Sequence, residues 1–309
     1  MESPDPSTVR YDGPWTHRDI HANGIKFHVT DAGPPPGRGD VPLVLLLHGF
    51  ADFWWTWRHQ LSALSAAGVR AVAVDLRGYG DSDKPPRGYD GWTLAGDIAG
   101  LVRALGYSRA HLVGHADGGL VCWATSVLHP RVVSGITLIS SPHPIALKRG
   151  VLRDGPQRTA WLPTFLGYQL PRLPEHRLTR NDGAEVERLL RLRAGPEWLR
   201  GPEFADTARK LRSAIQIPGV AHCALEYQRW AFRSQWRPDG RRFMAIMDTE
   251  LTIPVQQIHG DLDPYVLVRT LARCPGWAPR RDLVTVEAAG HYAHHERPAS
   301  TNAAILRLL

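Results

Sequence analysis

The stretch Leu112-Val113-Gly114-His115-Ala116-Asp117-Gly118-Gly119 decides the reading of this chain. An apolar strand runs through Val113 into a turn flanked by small residues, Gly114 and Gly118, and continues as a helical pattern over 118–128. Such a sharp strand-to-helix turn lifts its central side chain above the end of a sheet, which is where a nucleophile stands in enzymes built this way. The central residue here is Ala116, and a methyl group attacks nothing.

Runs rich in Val, Leu and Ile recur at 43–47, 69–74, 111–113, 135–139, 255–258 and 283–286. Helical spacing over 56–66, 94–105, 118–128 and 298–309 separates most of them. Strand alternating with helix predicts a mostly parallel sheet covered on both faces, an α/β fold. The alternation stops after Ser141 and resumes near Thr252, and the Arg-, Trp- and Pro-rich block between them predicts an inserted helical lid. The expected organisation is therefore a core of 1–141 and 251–309 with a lid of 142–250, and the proline-rich 33–39 stretch is expected to be a loop between early strands.

The length of 309 residues and the 43% hydrophobic content suit one large domain with a sizeable core. The net charge of +7 and pI near 9.6 do not come from a basic tract, because the basic residues are mixed with acids, as in Glu185-Val186-Glu187-Arg188. Only Lys26, Lys84, Lys148 and Lys210 are lysines among 37 basic residues, an arginine skew that GC-rich coding produces, and no nucleic-acid partner is expected. Cys122, Cys223 and Cys274 are odd in number, far apart and without a CxxC pair, as expected of a reduced, cytoplasmic protein. The first residues lack the basic start and apolar run of a signal peptide, and 41–47 is far too short to span a bilayer, so no membrane association is expected.

Ligands of open parallel sheets bind beyond the carboxyl ends of the strands, and four informative segments fall there. His48-Gly49-Phe50 follows the run 43–47, Ala116 follows Val113, Asp263 follows 255–258, and Ala289-Gly290-His291 follows 283–286. The chain order of elbow, acid and histidine is that of the α/β-hydrolase architecture.

On these residues the chain resembles the α/β-hydrolase superfamily over nearly its whole length, and within it the epoxide hydrolase and haloalkane dehalogenase branch. Asp75-Leu76-Arg77-Gly78-Tyr79-Gly80-Asp81-Ser82-Asp83-Lys84-Pro85, Gln169-Leu170-Pro171, and His291 followed by Glu296-Arg297-Pro298 resemble epoxide hydrolase sequence. The resemblance implies an aspartate nucleophile at the elbow, an acid-held histidine that activates water, and two lid tyrosines that bind the epoxide oxygen. Ala116 stands where that aspartate belongs, and alignment on Gln169 and Arg229 puts the tyrosine positions at Thr164 and Gln228, with Tyr168 and Tyr227 close by.

The retained pair His291 and Asp263, with Asp261 as the other acid, can take a proton from water or from an acidic substrate without a covalent step. Asp117 is the one carboxylate beside the vacancy, but presenting it by a one-residue shift would put His115 where the turn needs a small residue. Its placement in the first turn of a helix also suits a carboxylate for electrostatic reasons. The backbone amides of Phe50 and Asp117 are the expected oxyanion donors. His143, Tyr168, Tyr227, Gln228 and Trp230 are expected at the pocket, while Trp54, Trp55 and Trp57 suit either a pocket wall or the core. His291, His294 and His295 have a spacing that could bind metal, but the fold places them in a loop and a helix start; neither metal nor cofactor is expected. The expected function is an epoxide hydrolase-like protein acting on a small apolar molecule by general-base chemistry. The alternatives are a non-catalytic binding or regulatory protein and epoxide hydrolysis through Asp117.

Overall fold

The computed structural model describes residues 4–35, 41–274 and 276–309, so the expected 33–39 loop lies partly outside the described residues. A hairpin comes first, β1 (Thr16–Ala22) and β2 (Ile25–Ala32), closed by Asn23 and Gly24 at φ 47° and 80°. Two successive positive-φ residues form the type I′ turn that Asn-Gly favours, because its twist matches that of the flanking strands.

The alternation then proceeds as β3 (Leu43–Leu47), α1 (Arg58–Ala66), β4 (Arg70–Val74), α2 (Gly91–Ala104), β5 (Ala110–His115), α3 (Asp117–Leu128) and β6 (Val133–Ile139). Between β6 and the next strand the described chain is helical: α4 (Pro144–Arg153), α5 (Gly155–Gly167), α6 (Leu173–Arg193), α7 (Pro196–Arg200), α8 (Pro202–Ile215), α9 (Val220–Arg233) and α10 (Pro238–Met247). Non-helical torsions at Arg180–Gly183 break α6 into two arms. The chain ends as β7 (Val255–Gly260), α11 (Val268–Leu271), β8 (Arg281–Val286), α12 (Ala293–Glu296) and α13 (Pro298–Leu308).

The eight strands form one sheet in the order β1-β2-β4-β3-β5-β6-β7-β8. Both pairings of β2 are antiparallel and the other five are parallel, in agreement with the mostly parallel sheet expected. All six expected strands are present; an early strand before the 33–39 loop is expected without bounds, and the structure supplies two there, β1 and β2. The reason for the missing bounds is physical: β1 is an edge strand with one buried residue, Ile20, so Thr16-His17-Arg18-Asp19 carries no apolar face to read. The central strands β3 and β4 are buried throughout, as strands covered on both faces must be. The apolar core runs without interruption from Leu45 and Val113 of the sheet to Leu189, Phe204 and Leu211 of the helical segment.

The crossing of β5 and α3 is built on absent side chains. A Cβ on Gly118 would lie 2.1 Å from the Leu47 carbonyl oxygen, and one on Gly114 would lie 2.5 Å from the Gly119 nitrogen. Ala116, between them, is held at φ 47° and ψ −111°, torsions that an L-residue resists. Gly118→Ala is expected to destabilise the protein by about 3 kcal/mol or more, read as a lower urea midpoint at unchanged slope, because the obstacle is backbone. Ala116→Gly is expected to act in the opposite sense. Releasing roughly 1–3 kcal/mol of strain outweighs the ~0.5–1 kcal/mol that glycine's flexibility costs, raising the same midpoint.

Candidate active site

The loops leaving β3, β5, β7 and β8 converge above the sheet around a cavity of about 30 Å³ lined by Phe50, Ala116, Asp117, Tyr168, Arg193, Gln228, Tyr265 and His291, among others. His291 is buried, and its Nδ1 lies 2.9 Å from Asp263 Oδ2. The carboxylate accepts there, so Nδ1 carries the proton and Nε2 is left as the basic nitrogen. Asp263 is itself fixed: its Oδ1 accepts from the backbone N–H groups of Tyr265 (2.8 Å) and Val266 (3.0 Å). Burial pushes the Asp263 carboxyl up, but the neighbouring imidazole and the Val266 amide outweigh it and hold it below the ordinary carboxylate range. Asp261, the other candidate acid, instead accepts from the Ala289 amide at 3.3 Å.

Asp117 opens α3 and does not hydrogen-bond to His291. Its Oδ2 accepts from the Gln228 side-chain amide, and it opens onto the cavity while being otherwise enclosed. Burial raises its carboxyl from the ordinary 3.8 to about 6, against the pull of Arg193 and Gln228. The amides of Phe50 and Asp117 donate to no other described residue, and both residues line the cavity.

The remaining expected residues separate. Tyr168 lines the cavity with an unpartnered hydroxyl and stacks on Phe50 at 4.9 Å. Gln228 reaches it too, whereas Thr164 lines neither this cavity nor the larger one beside it. Tyr227 and Trp230 border that second, mostly apolar cavity of about 450 Å³, and the Tyr227 hydroxyl is taken up by the Arg77 carbonyl at 2.8 Å. His143 is a correction: it lines neither cavity. It is fully buried, stacks on Trp277 at 4.2 Å and bonds to the Met247 carbonyl oxygen. Trp54 and Trp57 belong to the core. His294 and His295 both meet the Thr56 hydroxyl and are uncharged because they are buried.

Sequence reasoning missed Arg193, Tyr265 and Tyr292. Arg193 ends α6, whose Arg188–Glu185 and Arg191–Glu187 pairs are solvated, so its charge reads as one more surface residue. The signal that could have found it is Ala194-Gly195-Pro196 directly after it, which stops the helix and turns the chain inward. Gly195 N–H and Gly290 N–H both donate to Glu296 Oε2, at 2.8 and 2.7 Å, and His291 N–H donates to the Arg193 carbonyl at 2.9 Å. The backbones of Arg193 and His291 are thereby fastened to each other.

Residues 42–298 match the family model of the alpha/beta hydrolase fold. An AB hydrolase superfamily protein of Bacillus subtilis, YfhM, is 32% identical over 94% of this chain and 96% of its own length. Epoxide hydrolase A of Mycobacterium tuberculosis is 30% identical over 95% of this chain and 97% of its own. Among solved structures, an epoxide hydrolase of Bacillus megaterium superposes with a TM-score of 0.82 at 26% identity, covering 94% of this chain and 99% of that one.

The raised Asp117 carboxyl has a consequence for stability. The native state keeps this proton after the unfolded chain has lost it, so the contribution is largest below about pH 4 and falls away as pH rises to about 6. Asp117→Asn is therefore expected to gain stability relative to the parent across that interval and to hold a constant difference above it, measured by urea unfolding at a series of pH values.

Proposed function

The chain belongs to the α/β-hydrolase superfamily, in its epoxide hydrolase-like branch, and from that premise we propose that it works on a small, mostly apolar molecule without forming an ester on the protein. The observation that carries this reading is the His291–Asp263 bond of 2.9 Å beside an elbow whose residue is alanine. Where relatives would have an aspartate, Ala116 has no atom able to attack, so the covalent route is closed. The imidazole is independent of that loss, because Asp263 sets its tautomer and Nε2 remains free to take a proton.

His291 acts as general base on water or on an acidic C–H or O–H of the bound molecule. The Phe50 and Asp117 amides receive the oxygen on which negative charge develops. The helical segment 142–250 is the lid, and the apolar cavity beneath it, with Tyr227 and Trp230, takes the body of the molecule. Asp117 is not the nucleophile in this reading, since the Gln228 amide engages it and burial favours its neutral form at acid pH.

A second reading, a binding or regulatory protein that keeps the pocket and has lost turnover, is favoured by the same alanine. The two part company on one comparison across a panel of epoxides, esters and haloalkanes. General-base catalysis requires that His291→Ala lower turnover by about 100-fold or more while Asp117→Asn stays within a few-fold. Saturable binding with no product supports the second reading. A covalent adduct on Asp117 in the His291→Ala protein, seen by intact mass, refutes both.

A further inference from the structure

Arg193 is 9% exposed, yet its guanidinium has no carboxylate within 4.0 Å among the described residues. Buried charges are ordinarily paired, because an unpaired one gives up hydration and receives nothing in return. Neutralisation by loss of the proton is closed to arginine. The nearest acid in the cavity, Asp117, does not form this pair, and its oxygen is already occupied by Gln228. The Tyr292 hydroxyl lies within hydrogen-bonding reach of the guanidinium, and as a neutral group it leaves the charge uncancelled.

The surroundings orient the charge rather than cancel it. Cζ lies 3.7 Å from the Tyr265 ring centroid, so the guanidinium packs on a π-face. Stacking leaves the edge of the fork, with its parallel N–H donors, available to a planar acceptor. The free amides at the head of α3 and at Phe50 border the same 30 Å³ space, adding two donors to those of Arg193. That space has room for roughly a head group of a few atoms. Next to it lies the 450 Å³ apolar cavity, and Asp117, Leu120, Leu147, Trp161 and Gln228 line both.

We propose that Arg193 anchors an anionic head group and that the ligand of this site is a monocarboxylic acid with an apolar tail. The carboxylate sits against the guanidinium fork with the Phe50 and Asp117 amides close by, and the tail runs past Leu120 and Trp161 into the larger cavity. The inference rests on the reading of these cavities as the ligand site, and adds the chemical class of what fills them. It requires no turnover, so it stands or falls on binding alone.

The test is calorimetric titration of the full chain with decanoate, decanol and decylammonium below their aggregation concentrations. The parent protein binds decanoate roughly 10- to 100-fold more tightly than decanol, the range of a charge-assisted bidentate contact, and decylammonium most weakly. Arg193→Met removes that margin and leaves decanol affinity near the parent value; Arg193→Lys restores part of it. Equal parent affinity for decanoate and decanol overturns the proposal while leaving general-base catalysis intact. Failure of the parent to bind either one overturns the ligand-site reading as well. Should Arg193→Met fail to fold, the parent's selectivity among the three ligands still decides.

Discussion

The approach of α3 to the sheet is the constraint on which the site depends. At Gly118 the backbone of the helix lies where a methyl group would meet the Leu47 carbonyl at 2.1 Å, and at Gly114 the strand is equally bare toward Gly119. Only this closeness lets the chain turn from β5 into α3 within one residue, and Ala116 takes the resulting torsions. The same approach aims the amino end of α3 at the space above the sheet, with its unpaired amides and the positive end of its dipole. None of this depends on which side chain occupies the elbow. An elbow with alanine therefore keeps the electrostatic character of one with a nucleophile.

A second fastening joins the helical segment to this frame. Glu296 takes the amides of Gly195 and Gly290 on one oxygen and that of Tyr292 on the other. Gly290 has no space for a Cβ, which would lie 2.5 Å from the Arg193 carbonyl. The imidazole of His291 and the guanidinium of Arg193 come from distant parts of the sequence, yet one carboxylate and one backbone hydrogen bond set their relative position. Burial pushes the Glu296 carboxyl above its ordinary range, and the three amides it accepts from offset only part of that rise.

Much of this architecture is legible in the sequence because it is written in residues with one structural meaning. The buried strands β3 and β4 are continuous apolar runs, and the elbow is marked by its glycines. The hairpin of β1 and β2 escapes a reading by hydrophobicity, since its edge strand is polar; its turn is nonetheless written in Asn23-Gly24. Within the site, Ala116, Asp263 and His291 lie in turns and loops soon after strands and Asp117 opens the helix after one, where local sequence determines position. Arg193 and Tyr265 reach the cavity through tertiary packing, and a charge at the end of an exposed helix looks the same whether its last turn faces water or the interior. His143 is misplaced for a related reason: histidine in a loop suggests a pocket, whereas stacking on Trp277 and a bond to Met247 satisfy it in the core.

The alanine at the elbow and the unpaired arginine belong to one charge balance. An aspartate at position 116 would put a second carboxylate, beside that of Asp117, into the cavity that Arg193 lines. With a methyl group there the one carboxylate lining the cavity is that of Asp117, which Gln228 engages and burial raises to about 6, and the enclosed guanidinium favours an anion supplied from outside over neutral water. On the proposed reading, the change that ends ester formation is thus also the change that makes the cavity receptive to an acid. The strain at Ala116 fits the same view: glycine would relieve it, but the bare backbone would widen a space of only about 30 Å³ and weaken the contact around a head group held by the surrounding donors.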